Sequence, residues 1–441
     1  MLKWLRKSFV WLLALLVGYV LLVQVLRWIA FGEEERAALA LMEPLPPPPA
    51  GEGGFKYLAF PDLDIPADEL DAALARDLAA FGEWHAGAAD RMTMRGESKE
   101  VWESPLKADY PARAALNLPK GACDINEPDC LAVMRGNEPV VREWLQAETV
   151  RLDLAERALA SDHLANPYPL AIDSPLAGFQ MLRLPLNAIA LQALDGDLPG
   201  ALDRACGLLA AERRFFAQDG MLIDKMVHGA LIEGAAGLVL GLRRADPAAP
   251  MPASCAQALA PVVQEHYLAC GAFKHEYGMV ASVSRQVDGG GREGWHPRQA
   301  VMRWTLTSER LMRGWSATHF APLCSDEGKA AILAGDVPVA SFVPSDFASV
   351  DFWAAPFSRT LADIAAPTYD RYQDRLLDHA ASLRLHLAAI AAVGGELPID
   401  AVPENAASPG YTLTVEDGHW VLPLRLAPNN TSNPIRIALP E

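Results

Sequence analysis

Between Arg285 and Arg313 an otherwise acidic chain turns locally basic. Arg303 and Arg310 stand a heptad apart, Arg313 follows three residues later, and Trp295, Trp304 and Trp315 are interleaved. Guanidinium groups fork onto carboxylates and stack on aromatic rings. Arginine with tryptophan can therefore clamp an anionic or aromatic ligand, and both residue types are favoured at interface hot spots. Arg298, Arg303, Trp304, Arg310 and Arg313 are the candidate binding residues. The competing expectation is that the arginines pair with the surplus of carboxylates while the tryptophans fill a core.

Two further groups carry ligand chemistry. Asp370, Asp374 and Asp378 recur at four-residue spacing on one helix face, with His379 and His386 beyond. Such a stripe could hold a hard divalent cation. Arg371 and Arg375 stand three residues from Asp374 and Asp378, so a solvated, ion-paired face is expected instead. Glu265, His266, His275 and Glu276 bracket Cys270 but lack the i,i+4 histidines of a zinc-binding helix. His228 lies on an apolar helix and reads as a core histidine with a partner. No metal site and no cofactor are expected.

Motifs for nucleophilic catalysis are absent from the sequence. There is no Gly-x-Ser-x-Gly elbow and no phosphate-cradling glycine loop. Ser104-Pro105-Leu106-Lys107 has Ser-x-x-Lys spacing, but a proline sits inside it and no Lys-Thr-Gly partner exists. A formal net charge of −17 argues against nucleic-acid binding, which needs a basic footprint.

The elements that must position these residues begin with an apolar run. Lys3, Arg6 and Lys7 precede Phe9 to Leu26, Arg27 and Trp28 close it, and Glu33, Glu34 and Glu35 follow. A bilayer core about 30 Å thick needs about 20 apolar helical residues, which Phe9 to Phe31 supplies if Arg27 snorkels. The charge asymmetry expects a cytoplasmic N-terminus and a periplasmic bulk. The run is longer than a secretory h-region, and Arg27 to Phe31 is a poor cleavage context. A single-pass, uncleaved signal anchor in a bacterial inner membrane is expected, contacting lipid through residues 9–31. Ala230 to Leu242 is shorter, is broken by glycines and reads as a core helix.

The expected organisation is a cytoplasmic tip and anchor over 1–31, a Pro/Gly-rich spacer over 32–56, a helical domain over 57–400 and a β-hairpin or meander over 401–441. In the spacer, Glu43 to Gly54 is rich in proline and glycine, the composition of a semi-rigid joint lifting the domain off the membrane. Periodicity predicts helices over 66–84, 137–161, 186–194, 201–216, 221–242, 254–269, 271–287, 297–314 and 367–393. Asp417-Gly418 between two alternating runs predicts a hairpin turn, and Ile435 to Leu439 a third strand. The fold class is thus mainly α, multi-helix hairpins with a small C-terminal β-meander.

The pattern Ala190-Leu191, Leu194-Asp195-Gly196-Asp197, Ala201-Leu202 resembles a tetratricopeptide-type helical hairpin. It is also similar to a hairpin core of bacterial envelope proteins that carry one N-terminal anchor. The resemblance implies architecture and location, with no activity attached.

Six cysteines on the expected exported side point to disulfides. Cys123 and Cys130 enclose a short polar loop and form the favoured pair. Cys206, in an Ala/Leu-rich helix, reads as a buried free thiol, and Cys255, Cys270 and Cys324 could contain one more bridge. Together these features predict a non-enzymatic module that binds an envelope protein or peptide. The alternative is an envelope hydrolase with a site assembled from dispersed His, Asp and Glu residues.

Overall fold

The computed structural model describes residues 2–47, 49–87, 101–125, 127, 129–288, 297–338, 346, 348–365, 369, 371–426 and 434–439. The apolar run forms α1 (Leu2–Ala30), and α2 (Glu33–Met42) follows after Phe31-Gly32. Glu35 reaches back to accept the Gly32 N–H at 2.8 Å, and Glu33 to Glu35 put negative charge at the helix N-terminus. This helix lies inside the stretch expected to be a spacer. Its Ala38 and Met42 are buried, because Ala- and Leu-rich residues 37–42 form an apolar face that finds a partner in the body.

Next come α3 (Phe55–Leu58), α4 (Leu70–Ala86), α5 (Cys130–Met134), α6 (Glu138–Ala147) and α7 (Thr149–Ala160). The helix expected over 137–161 is two. The Thr149 hydroxyl donates to the Gln146 carbonyl at 2.8 Å, one of the local bonds that compete with helix continuation at the break.

The centre is α8 (Arg183–Leu194), α9 (Leu198–Ala217) and α10 (Leu222–Ala245). Gly196 at φ +97° ends the first turnaround, and Asp197 accepts the Gly200 N–H at 3.0 Å to start α9. Short connections force these helices side by side, with Leu209, Ala235 and Val239 fully buried between them.

After them come α11 (Cys255–Ala258), α12 (Cys270–Val287), α13 (Pro297–Thr305) and α14 (Glu309–Cys324). The helix expected over 254–269 shrinks to α11 and a single 3₁₀ turn at Gln264–Tyr267, because Pro261 lacks an N–H and its ring clashes with the preceding turn. The helix expected over 297–314 is interrupted by Ser308, which caps α14 by accepting the Leu311 N–H at 3.4 Å. Three helices outside the expected set follow: α15 (Asp326–Leu333), α16 (Val350–Ala354) and α17 (Pro356–Ala365). Then come α18 (Tyr372–Val393) and the short α19 (Val402–Asn405); Pro367 and Asp370 lie outside the described residues.

By length and composition α1, α10 and α18 could each cross a membrane. The apolar window is 67% buried within the protein in α10 and α18 but only 6% buried in α1. The first two are therefore core helices packed on each other, and α1 alone presents its apolar surface outward. Gly229 allows the close approach of α10 and α18, since a Cβ there would lie 2.6 Å from the His379 ring.

The C-terminus forms a three-stranded antiparallel sheet of β1 (Thr414–Glu416), β2 (His419–Leu422) and β3 (Ile435–Ala438), in that order. Asp417 and Gly418 both have positive φ, as the expected two-residue hairpin requires. Trp420 pairs with Ile437 and buries its side chain against α18.

All six cysteines are paired: Cys123–Cys130, Cys206–Cys255 and Cys270–Cys324, with Cα–Cα separations of 5.1, 4.8 and 4.9 Å. Cys206 is thus not a free thiol. It is buried, as its apolar helix dictates, but its neighbour across the helix packing is Cys255 of α11. Complete pairing fits an oxidising compartment.

Candidate functional site

The Arg/Trp stretch folds into α13 and α14, whose junction turns at Leu306 to Ser308. Arg310 sits on the first turn of α14 and Arg313 on the second, and Arg303 on the last turn of α13. Together with Arg27 and Phe31 from the end of α1 and Glu43 after α2, they line a cleft of about 470 Å³.

Each guanidinium is held differently. Arg27 donates to the carbonyls of Ala354 at 2.9 Å, Arg303 at 2.6 Å and Thr307 at 2.6 Å. Arg313 bonds Glu43 at 2.5 Å and Glu309 at 3.2 Å. Arg303 approaches Asp288 at 3.5 Å, and its side chain remains half exposed. Arg310 lies over the Phe31 ring, 3.8 Å from its centroid, and is exposed. A guanidinium over a ring face can still offer N–H groups to a carboxylate.

A second cavity of about 560 Å³ adjoins the first. Both are lined by Glu43 and Arg313, so this ion pair is the wall between them. The second is walled further by Leu45, Leu170, Tyr277 and Arg285. Burial pushes the Tyr277 phenol up from its ordinary range, so it stays protonated. The two cavities thus lie side by side across this pair, the first lined by four arginines and the second part apolar.

The chain matches no known protein family, no curated protein and no solved structure.

Arg303, Arg310 and Arg313 line one cleft together, but from two helices and not from one face of the single helix expected over 297–314, and Arg27, Phe31 and Glu43 join them from the far end of the chain. No sequence signal links those two ends. Trp304 does not line the cleft; it is half exposed, and its carbonyl accepts the Gln24 amide at 3.3 Å. Trp315 is buried in the core beneath the Arg359 guanidinium. The Arg298 side chain, Trp295 and the glycine run at 289–291 lie outside the described residues.

A second gathering of titratable groups surrounds the start of α10. His228 Nδ1 and Glu212 Oε2 are 2.6 Å apart and both residues are buried, so the core histidine has its partner. Asp224 accepts the Met221 N–H at 3.0 Å. Burial pushes its carboxyl up to about 6, against the opposing pull of His228 and His275. Glu276, also pushed up by burial, accepts the Leu222 N–H and the Tyr369 hydroxyl, each at 3.1 Å. Burial pushes Lys225 down to about 8, and its ammonium donates to the Phe216 and His266 carbonyls. Neither cavity reaches this cluster. Among the described residues no three His, Cys, Asp or Glu side chains are placed to hold a metal ion.

The aspartate stripe is structural. Asp374 pairs with Arg425 at 3.1 Å, and buried Asp378 accepts from Tyr411, Arg425 and Leu426. The expected solvated face is covered by the C-terminal segment, whose residues take the place expected for Arg371 and Arg375. His379 hydrogen-bonds Glu233 at 2.8 Å, and the Ser104 hydroxyl donates to Asp77.

Proposed function

We propose that this protein is a single-pass, membrane-anchored module of the bacterial envelope that binds an acidic peptide segment of a partner protein in the arginine-lined cleft. The observation that carries the proposal is the convergence of Arg27, Arg303, Arg310 and Arg313 on one cleft in a chain of net charge −17. A carboxylate of the partner would fork onto the exposed edge of Arg310. A second would compete with Glu43 for Arg313, opening the wall between the two cavities and admitting an extended segment. The part-apolar second cavity would take the side chain beside it.

Membrane anchoring is supported by the outward apolar surface of α1, and the orientation by Lys3, Arg6 and Lys7 before it and Glu33 to Glu35 after it. An envelope hydrolase would draw on Asp224, His228 and Glu276. The cleft lined by four arginines is the observation that favours binding.

A photoreactive residue at Leu45, lining the second cavity, and another at Val150, on a distant exposed surface, test the proposal in native membranes. The Leu45 probe should crosslink one reproducible envelope partner through an acidic stretch, and combined R303A, R310A and R313A should remove the adduct. Identical adducts from both probes, or adducts indifferent to the triple substitution, would overturn it.

A further inference from the structure

The last turns of α1 are covered on one side only. Val23, Ala30 and Phe31 are buried, whereas Leu21, Leu22, Val25, Trp28 and Ile29 are each more than half exposed. The covering comes from α13 and α16, and α17 joins the same buried cluster through Ala362. Gln24 and Arg27 bind backbone carbonyls of Trp304, Arg303, Thr307 and Ala354. The Phe357 N–H donates to the Leu306 carbonyl at 3.1 Å, and the Ser308 N–H to the Ser358 hydroxyl at 3.0 Å, so α17 is tied to the α13–α14 junction.

These three short helices turn apolar side chains outward. Val301 and Trp304 on α13, Val350 and Trp353 on α16, and Phe357 and Ile364 on α17 are between 41% and 67% exposed. On α17 the opposite face is buried through Ser358 and Ala362, so the helix is amphipathic with its apolar edge left open.

We propose that α13, α16 and α17 form a collar of interfacial helices seated in the outer leaflet around the exit point of α1. The occupant of their apolar face is the lipid bilayer. This rests on the reading of α1 as a membrane span.

Depth argues for it. An α-helix rises about 1.5 Å per residue. From Phe9, Gln24 is therefore about 22 Å along the span and Arg27 about 27 Å, both short of the roughly 30 Å of a hydrocarbon core. A body that grips α1 at these two residues cannot remain wholly in water while the span is filled. Satisfying the Gln24 amide and the Arg27 guanidinium with protein carbonyls removes the cost of leaving either in hydrocarbon. Trp28, Trp304 and Trp353, on α1 and on the two helices that cover it, are each half exposed or more, and indole rings favour the membrane–water boundary. Amphipathic helices with such residues lie in the plane of that boundary.

The test uses full-length protein in vesicles of phosphatidylethanolamine and phosphatidylglycerol. Because the native cysteines are all paired, one introduced cysteine takes a nitroxide label. Trp353→Cys and Ile364→Cys report the collar, Leu16→Cys the middle of α1, and Val150→Cys the water-facing body. Ile364 is 67% exposed, so its replacement removes little packing. Labels at 353, 364 and 16 should relax more with oxygen than with a water-soluble nickel chelate, the collar labels at shallower depth than position 16, and the label at 150 the reverse. Chelate-accessible collar labels with position 16 still in lipid would overturn the collar and leave the span standing. Collar labels shielded from both reagents would overturn it in favour of a protein cover. Chelate access at position 16 would overturn the span and the collar together.

Discussion

The hydroxyl of Tyr411 donates to Asp378 Oδ1 at 2.6 Å, and through this pair the C-terminal segment is fastened to the central helix α18. The same carboxylate accepts the backbone N–H groups of Arg425 at 2.8 Å and Leu426 at 3.0 Å. Asp378→Ala leaves three donors without their acceptor. The expected loss is about 2–4 kcal/mol in urea denaturation. Proteolysis should cut beyond residue 410 sooner in the variant than in the parent protein. Unchanged stability and cleavage would show that the latch carries no weight.

That latch also marks where sequence patterning stops being informative. The four-residue spacing of Asp374 and Asp378 places both on one face of α18, but whether the face meets water depends on a segment more than thirty residues away. Local signals read well: the Asp417-Gly418 turn, the Asp195 to Gly200 turnaround and the Cys123–Cys130 loop are each decided within a few residues. Helix ends were missed where one residue intervened, Pro261 in one case and Ser308 in another. In the cleft, Arg303, Arg310 and Arg313 belong to consecutive helices and were legible together. Arg27, Phe31 and Glu43 enter only because α1 packs on α13 and α16 and α2 packs on α14, tertiary facts that hydropathy does not encode. Cys206 lacked a nearby partner for the same reason: Cys255 is 49 residues on.

A pH window follows from Asp224. Its carboxyl, held near 6 by burial, binds its proton more tightly in the folded chain than in the unfolded one, where an aspartate titrates near about 4. Unfolding therefore releases a proton between these values, and this contribution to stability falls as pH rises from about 4 to about 6. The expected size is on the order of 3 kcal/mol. Asp224→Asn should flatten the slope of urea-unfolding free energy across that window. An unaltered slope would refute the assignment to Asp224.

The buried Glu212–His228 pair should behave as a unit. Glu212→Ala or His228→Ala alone strands a polar partner in the core, at an expected cost of about 3–5 kcal/mol. Replacing both by alanine should cost less than the sum of the two single losses. Strict additivity in denaturation experiments would mean that the 2.6 Å contact contributes no coupling.

Loop length should rank the disulfides. Cys206–Cys255 and Cys270–Cys324 close spans of 49 and 54 residues, for which the chain-entropy relation gives about 4 kcal/mol each. Cys123–Cys130, with a separation of 7, gives about 2.5 kcal/mol. Paired Cys→Ala substitution at either long bridge should therefore lower the Tm more than at the short one. Equal shifts for all three would show that the unfolded chain is not where these bonds act.

The order of those pairs has a bearing on biogenesis. Reading from the N-terminus, the first cysteine joins the second, the third the fourth, and the fifth the sixth. A thiol oxidase that meets the cysteines as the chain is synthesised, and links each to the next available one, makes the native set directly. Nothing has to be unmade, so maturation needs an electron acceptor but no isomerase. Dependence on the first enzyme with indifference to loss of the second would be the genetic signature of this connectivity.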